Sequence, residues 1–466
     1  MSDEGKYRDD VTLARGIARE VERRGGRTYY VGGYVRDRLL GCESKDVDIE
    51  VHGVPVAELE DLLTRFGTVK AVGASFGVYN VAGHTLDIAV PRREDGGQLG
   101  GQRGGQLGGR DAIAAVEEPF LGTRKAALRR DLTMNALYED VLTGEVIDHF
   151  GGCEDLARGV IRHVDAATFV EDPLRALRVA QFAARFGMQV SEETIELCAG
   201  LDLGGLASER VLEELKKALV KASRPSVFFE VLRSMRQLST WFGEVVALVG
   251  VPQNPLYHPE GDVWAHTMLV VDRAAELRSG ATDAFGFMLS ALCHDFGKAV
   301  TTCEREGRIV SYGHEVEGVP LAKDFLRRLG APTKIRSYVQ NMVELHMAPN
   351  ALVAQGARQK AYNKLFDRSC CPHDLVLLAH ADDSGRGDGV DWDSCGMAEG
   401  LEEHLACFEQ LMARPYVQGR DLIAAGVEPG PLMGEVLEYG HKLRLAGLGK
   451  EDQLRQCLGY YRSHRG

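Results

Sequence analysis

No apolar run in this chain approaches the length of a bilayer-spanning helix, and its ten cysteines include no CxxC pair. The first absence excludes a helical membrane protein. The second, with cysteines scattered and only Cys370 and Cys371 adjacent, speaks against a disulfide framework. Reduced thiols in a cytoplasmic protein are expected. The opening MSDEGKYRDD is polar and acidic and lacks the apolar stretch of a signal peptide. Basic excess is missing too. Asp and Glu number 68 against 55 Lys and Arg, for a formal charge of −13. A generally polyanion-binding surface is thereby excluded, and any nucleic-acid site must be a local basic groove. Arg92 and Arg93 are adjacent, and Arg124, Lys125, Arg129 and Arg130 lie close together, but no basic run is long enough to mark an RNA surface. With 466 residues the chain is too long for one core, so two to four domains are expected.

The first segment alternates. A helix-like run from Val11 to Arg24 precedes an apolar strand, Thr28 to Val31. A short helix, Val35 to Leu40, leads to the strand Val47 to Val51 and a helix near Val56 to Phe66. Two further strand-like runs follow, Gly77 to Ala82 and Leu86 to Val90. Residues 96–109, GGQLGGQRGGQLGG, nearly repeat and cannot bury a core, which predicts a flexible surface loop. After about residue 150 the pattern becomes helical, with amphipathic runs at 171–187, 191–200, 208–222 and 226–238. Val251-Pro252-Gln253-Asn254-Pro255 marks a boundary before a second helical region that runs to about residue 412. A helical tail follows, with Pro431 suited to a first helical turn.

Within the alternating segment, Gly32-Gly33 follows an apolar strand, an arrangement that brings backbone N–H groups close to an anion. Arg36 and Asp37 come next. Asp46 and Asp48, two apart on a strand, point the same way and can share divalent metals. Asp87, flanked by Leu86 and Ile88, supplies a third carboxylate from a neighbouring strand. Two metals about 4 Å apart on hard oxygen ligands neutralise the attacking and leaving oxygens of phosphoryl or nucleotidyl transfer. An isolated DxD is usually a surface turn or cap. Here its order with the glycine turn and Asp87 favours catalysis.

These residues, read as GGYVRDRLLG…DVDIEVHG, resemble the head of class II transfer-RNA nucleotidyltransferases and bacterial poly(A) polymerases. Arg129-Arg130-Asp131-Leu132-Thr133-Met134-Asn135-Ala136 is similar to the family's RRDxTxNA motif, and Glu171-Asp172-Pro173-Leu174-Arg175 to its EDxxR motif. The likeness covers about residues 27–240, with a weaker echo in the tail (Gly419, Asp421, Pro429-Gly430-Pro431). It implies catalytic Asp46, Asp48 and Asp87, with Mg²⁺ on Asp46 and Asp48. It implies nucleotide binding by Gly32, Gly33, Arg36, Arg130, Asp131, Asn135, Asp172, Arg175 and Arg178. Arg130 would bind triphosphate, and Asp131 would accept from a ribose hydroxyl. Asn135 would either contact ligand or cap a turn. Asp172 and Arg175, three apart on a helix, share a face. Cytosine and adenine both offer an amine beside a ring acceptor, so this pair could select them without a template. Arg178 would extend that face toward the triphosphate or stack on the base.

A second constellation lies downstream. His266, His294-Asp295 and Asp382 occur in the order H…HD…D, which suffices to ligate a divalent metal with positions left open for water. His314 and His346 could hold a second metal or the substrate phosphate, and Lys298 could sit near that phosphate. His258 and His373 read as structural. The stretch His294-Asp295-Phe296-Gly297-Lys298 resembles HD-domain metal phosphohydrolases, including the HD domain fused to some bacterial transfer-RNA nucleotidyltransferases. That likeness implies 2′,3′-cyclic phosphodiesterase, 2′-nucleotidase or phosphatase activity with Ni²⁺, Mn²⁺, Co²⁺ or Mg²⁺.

The expected fold is α+β: a nucleotidyltransferase head with a small mixed sheet (residues 1–150), then a helical neck and body (151–250). An α-helical HD domain (251–412) and a helical tail (413–466) follow. The expected activity is CCA addition to the 3′ end of transfer RNA from CTP and ATP, with HD phosphohydrolysis for end repair. A monomer and a dimer stay open. Rival readings are a partial CC- or A-adding enzyme, a poly(A) polymerase, and an HD phosphohydrolase whose head only binds RNA.

Overall fold

The computed structural model describes residues 3–42, 46–72, 78–94, 115–386 and 397–465. The chain divides into two compact units, Met1–Leu203 and Gly204–Gly466. The division falls inside the segment expected as neck and body.

The first unit is built on seven strands: β1 (Arg27–Val31), β2 (Asp48–His52), β3 (Val69–Val72), β4 (Val78–Val81) and β5 (Asp87–Ala89), joined after a hairpin by β8 (Tyr138–Asp140) and β9 (Val146–Ile147). The hairpin strands are β6 (Arg92–Glu94) and β7 (Ala115–Glu117). The sheet order is β3-β4-β5-β2-β1-β8-β9. It is mixed, because β2 and β5 run parallel while its other pairs are antiparallel. The parallel register sets Asp48 opposite Asp87. Helix Asp3–Glu22 buries Leu13, Ala14, Ile17, Ala18 and Val21, spaced three or four apart as one helical face requires.

The expected elements of this unit appear within a few residues of their bounds, except that the first helix, expected from Val11, starts at Asp3. The sequence pattern does not announce β3, β6, β7, β8 or β9, which have only two to four residues each. β8 is buried at every position, so it shows no alternation to read. Gly77 and the glycine-rich insert 96–109 lie outside the described residues, so the expected loop is not described. The hairpin β6–β7 brackets the insert, pairing Arg92 with Glu117 and Glu94 with Ala115.

Among its described residues the second unit is helical except for one hairpin, Cys303–Arg305 paired with Arg308–Val310. Its turn residues Glu306 and Gly307 both have positive φ (52° and 72°), as a two-residue hairpin turn requires. This hairpin and the two-residue pair Val160–Ile161 with Gln189–Val190 amend the expectation of helix alone after residue 150. Helix Pro431–Leu445 begins at Pro431 as expected. Among the described residues, no helix is long and apolar enough to cross a membrane.

Candidate functional site

Two clusters of chemically capable side chains form, one in each unit. In the first, Gly32 caps helix Gly33–Leu39 with φ 63° and ψ −127°, a conformation that favours glycine. A side chain there would also meet Arg130, since an added Cβ would lie 3.2 Å from the Arg130 Nη1. The glycine turn and the second Arg of the RRD motif are therefore neighbours. Arg130 in turn reaches Glu50, Nη2 to Oε2, at 3.4 Å.

Asp48 opens β2 beside Asp87, and Asp46 lies exposed just before the strand. Asn80 donates to Asp87 at 2.6 Å. The Asp48 carboxyl is pushed up to about 6, by burial first and then by the negative charge of Asp87, with Asp46 adding to it and Arg130 opposing. Carboxylates crowded so that one resists ionising form a site that gains from a cation. The all-oxygen donor set of Asp46, Asp48 and Asp87 suits Mg²⁺.

This has a measurable consequence for stability. Because folding raises the Asp48 pKa, the metal-free protein loses stability as pH rises from about 4 through about 6. Asp48→Asn, which cannot ionise, should stabilise the metal-free protein at pH 7.5 by on the order of 1–2 kcal/mol and do little at pH 4. Chemical denaturation at the two pH values in EDTA checks this. Equal effects at both would refute it.

The RRD and EDxxR motifs join the glycine turn through a polar network. Arg36 is buried, donates to Asn135 Oδ1 at 2.7 Å and to Asp37 at 2.6 and 2.8 Å, and lies over Phe186. Asn135 donates to Asp131 Oδ1 at 3.1 Å, and Arg178 donates to Asp131 Oδ2 at 2.7 Å. Burial alone would raise Asp131, but Arg178 and Asn135 outweigh it and hold its carboxyl low. Asn135 thus has a definite role in linking Arg36 to Asp131. Asp172 lies just ahead of helix Leu174–Phe186 and accepts from the Leu174 N–H at 3.1 Å. Arg175 donates to the carbonyls of Thr168 and Arg129 at 2.6 and 2.8 Å.

One residue here escaped the sequence reading. Glu50 continues the alternation of Asp46 and Asp48 on the same strand face. It accepts from the Tyr138 hydroxyl (3.2 Å) and lies 2.7 Å from His52 Nε2, besides contacting Arg130. A third acid at that spacing was the available signal.

The second cluster gathers the four residues expected as ligands, His266, His294, Asp295 and Asp382, together with His314 and His346, expected at a second metal or the substrate phosphate. His266 Nε2 lies 3.0 Å from Asp382 Oδ1 and 3.6 Å from Asp295 Oδ2. His294 Nε2 lies 3.3 Å from Asp295 Oδ2 and 3.7 Å from Asp382 Oδ1. On its other oxygen, Asp295 faces His314 Nε2 at 3.3 Å and His346 Nε2 at 3.8 Å. Two candidate metal positions result, His266–His294–Asp382 and Asp295–His314–His346, with Asp295 between them. All six side chains are buried.

The ring nitrogens fit a metal. His314 and His346 each have Nδ1 within 2.8 Å of a backbone carbonyl, so the ring proton resides there. Their Nε2 atoms lie 3.2 Å apart; burial disfavours a charged His314, but Asp295 beside it outweighs burial and raises its pKa, so the proton held between these groups is what a cation would replace. Burial, then the charges of His294 and His314, lower His346 to about 3, so its ring is neutral and able to ligate. His294 Nε2 is buried without a hydrogen-bond partner among the described residues. Burial raises Asp295, but His294 and Lys298 outweigh it and hold its carboxyl far below the usual range. Lys298 bonds Asp295 at 2.7 Å and Gln253 at 2.8 Å, so it is a charge partner of the bridging carboxylate. Mixed imidazole and carboxylate donors suit Mn²⁺, Co²⁺ and Ni²⁺.

Gly297 lets this cluster close. An added Cβ would lie 2.0 Å from the His314 carbonyl oxygen and 2.7 Å from the Gly318 nitrogen. Gly297→Ala should therefore cost about 3 kcal/mol, because backbone must move and carries His314 with it. Denaturant unfolding measures the loss. A cost below about 1 kcal/mol would show that the contact yields easily.

Residues 28–162 match the family described as the poly A polymerase head domain. The multifunctional CCA protein of Actinobacillus pleuropneumoniae serotype 5b (strain L20) is 35% identical over 374 residues, covering 77% of this chain and 85% of that protein. That of Laribacter hongkongensis (strain HLHK9) is 40% identical over 324 residues, covering 69% and 74%. Among solved structures, the Bacillus stearothermophilus CCA-adding enzyme in complex with CTP aligns with TM-score 0.65 at 22% identity, covering 98% of each chain. At that identity the likeness speaks for the fold.

Proposed function

This chain belongs to the multifunctional CCA protein family, and on that footing we propose that it adds C, C and A to the 3′ end of transfer RNA and clears blocked 3′ ends at a second site. It is a nucleotidyltransferase enzyme. The finer assignment rests chiefly on one observation: the Asp48–Asp87 pair, the glycine turn and Arg130 converge in one unit.

Asp46, Asp48 and Asp87 would hold Mg²⁺, which supplies charge neutralisation for the triphosphate and activates the attacking 3′-hydroxyl. Arg130, steadied by Glu50, is placed to bind triphosphate beside the glycine turn. The Arg36–Asn135–Asp131–Arg178 network holds the surrounding motifs rigid. Asp172 and Arg175 select cytosine and adenine by the donor and acceptor pattern of their edges. For this, the Arg175 guanidinium exchanges the carbonyls of Thr168 and Arg129 for the base.

In the second unit, His266, His294 and Asp382 on one side and His314 and His346 on the other, bridged by Asp295, would hold divalent ions. These supply an activated nucleophile for phosphoester hydrolysis. The protein's part is to fix the ring tautomers, exclude bulk water and keep Asp295 ionised through Lys298. The substrate we assign is an RNA 3′ end carrying a 2′,3′-cyclic or terminal phosphate, and the place of action is the cytoplasm.

The test supplies transfer RNA lacking its terminal CCA with each triphosphate alone and then in mixture, followed by 3′-end sequencing. Addition that stops after CCA supports the proposal. CC alone identifies a partial enzyme, and extension only of ends already carrying CC identifies an A-adding one. A long A tail points to a polymerase, and no incorporation refutes the assignment of the head.

A further inference from the structure

His266 departs from its partners at the second cluster. His294, His314 and His346 turn Nδ1 to the carbonyl three residues earlier, at 2.8, 2.8 and 2.7 Å. His266 lies in the first turn of helix Val263–Leu277, where the corresponding carbonyl, of Val263, accepts the Thr267 hydroxyl at 2.8 Å. Its Nδ1 lies instead 2.8 Å from Glu260 Oε1, a close ionic contact that lacks hydrogen-bond alignment. The same oxygen is 2.8 Å from His258 Nδ1.

The Glu260 side chain is only 2% exposed, and its second oxygen has no hydrogen-bond partner among the described residues. Burying an incompletely bonded carboxylate is costly. The turn that carries it has its own means of support. Asp262 caps the following helix by accepting from the Ala265 N–H at 2.8 Å, and it also accepts from Gly250 N–H. Gly261, at φ 121°, lets the chain reverse between the two acids. Helix capping therefore does not explain Glu260. Contact with a ring whose other nitrogen points into the cluster does.

We propose that Glu260, held by His258, is a positioning residue that makes His266 the strongest imidazole ligand of the cluster, so that the His266–His294–Asp382 position binds a divalent ion more tightly than the Asp295–His314–His346 position. This rests on the second cluster being a metal site. A carboxylate this close to Nδ1 favours the ring proton on that side, which leaves Nε2 free to ligate, and its charge makes the ring a stronger donor than a neutral carbonyl does. The two ions would then differ in affinity although their donor sets are similar.

The experiment titrates the full chain, carrying Asp46→Ala and Asp48→Ala to silence the head, with Mn²⁺ and follows free Mn²⁺ by electron paramagnetic resonance. Two steps of unequal affinity are expected. Glu260→Gln should weaken the tighter step by about 10–100-fold and leave the weaker one within about threefold. Glu260→Asp should restore part of the loss, and with one equivalent of Co²⁺ the visible absorption bands should differ between Glu260→Gln and its parent. Unfolding in EDTA should be alike in all variants, which separates ligand positioning from a structural role. Should Glu260→Gln fail to fold, His258→Ala is read instead, with a smaller weakening of the same step expected and no change counting against the proposal. A tight step insensitive to Glu260→Gln, or equal weakening of both steps, overturns this inference alone. A parent that binds no Mn²⁺ overturns the metal-site reading together with it.

Discussion

Replacing Asp46 and Asp48 together with Ala should lower CTP and ATP incorporation by at least about 10³-fold, equivalent to about 4 kcal/mol of transition-state stabilisation. The size follows from what the two carboxylates do. In the proposed mechanism they would be the hard oxygen donors for charge-neutralising ions at the reacting phosphorus, a role that Asp87 alone could not fill. Ionisation of Asp48 is also opposed in the metal-free site, by burial and by Asp87. Removing it relieves that strain, so the variant should fold at least as well as its parent. Hydrolysis of a cyclic phosphate by the same variant should stay within about twofold, because the second cluster is built from residues of the other unit. Primer-extension rates and phosphate release on one preparation provide both numbers. Loss of both activities would mean that the two sites are not independent.

The second large effect is the converse. Asp295→Asn should lower phosphohydrolysis by at least about 10³-fold and leave nucleotide incorporation within about twofold. Asp295 lies between the two candidate metal positions, with Oδ2 facing His266 and His294, and Oδ1 facing His314 and His346. Asn keeps the shape but loses the charge that offsets two cations, and it turns one oxygen into a donor aimed at ring nitrogens. Lys298, which bonds Asp295 at 2.7 Å, is then left as an uncompensated buried charge. The lesion should appear as lost metal content by elemental analysis as well as lost turnover. Full metal content with lost turnover would assign Asp295 to the chemistry instead of to metal binding.

Much of this was legible in the sequence because the signals are local. A glycine pair after an apolar strand, acids at alternate positions and His-Asp on a helix end each report their own geometry. Order and type point to His266, His294, Asp295 and Asp382 as ligands and to His314 and His346 beside them, and the fold brings the six together. The partnerships were less legible. Asp172 and Arg175 were read as one helix face, yet Asp172 precedes the helix and Arg175 donates to two carbonyls. The pairing of Asp131 with Arg178 spans 47 residues, a separation that no periodicity reports. Glu260 is illegible for a similar reason, since its significance lies in the ring nitrogen it faces. Short strands such as β8 and β9 owe their form to pairing with neighbours, which local pattern does not encode.

The most direct test of two sites serving one RNA end uses a transfer RNA that stops before CCA and carries a 2′,3′-cyclic phosphate. It is incubated with the protein, CTP, ATP, Mg²⁺ and Mn²⁺, and its 3′ ends are sequenced. The account predicts mature CCA ends from the parent protein, and unextended cyclic ends from Asp295→Asn, which still extends a hydroxyl-ended control. Cyclic ends that persist with the parent protein, while the hydroxyl-ended control is extended to CCA, would contradict it.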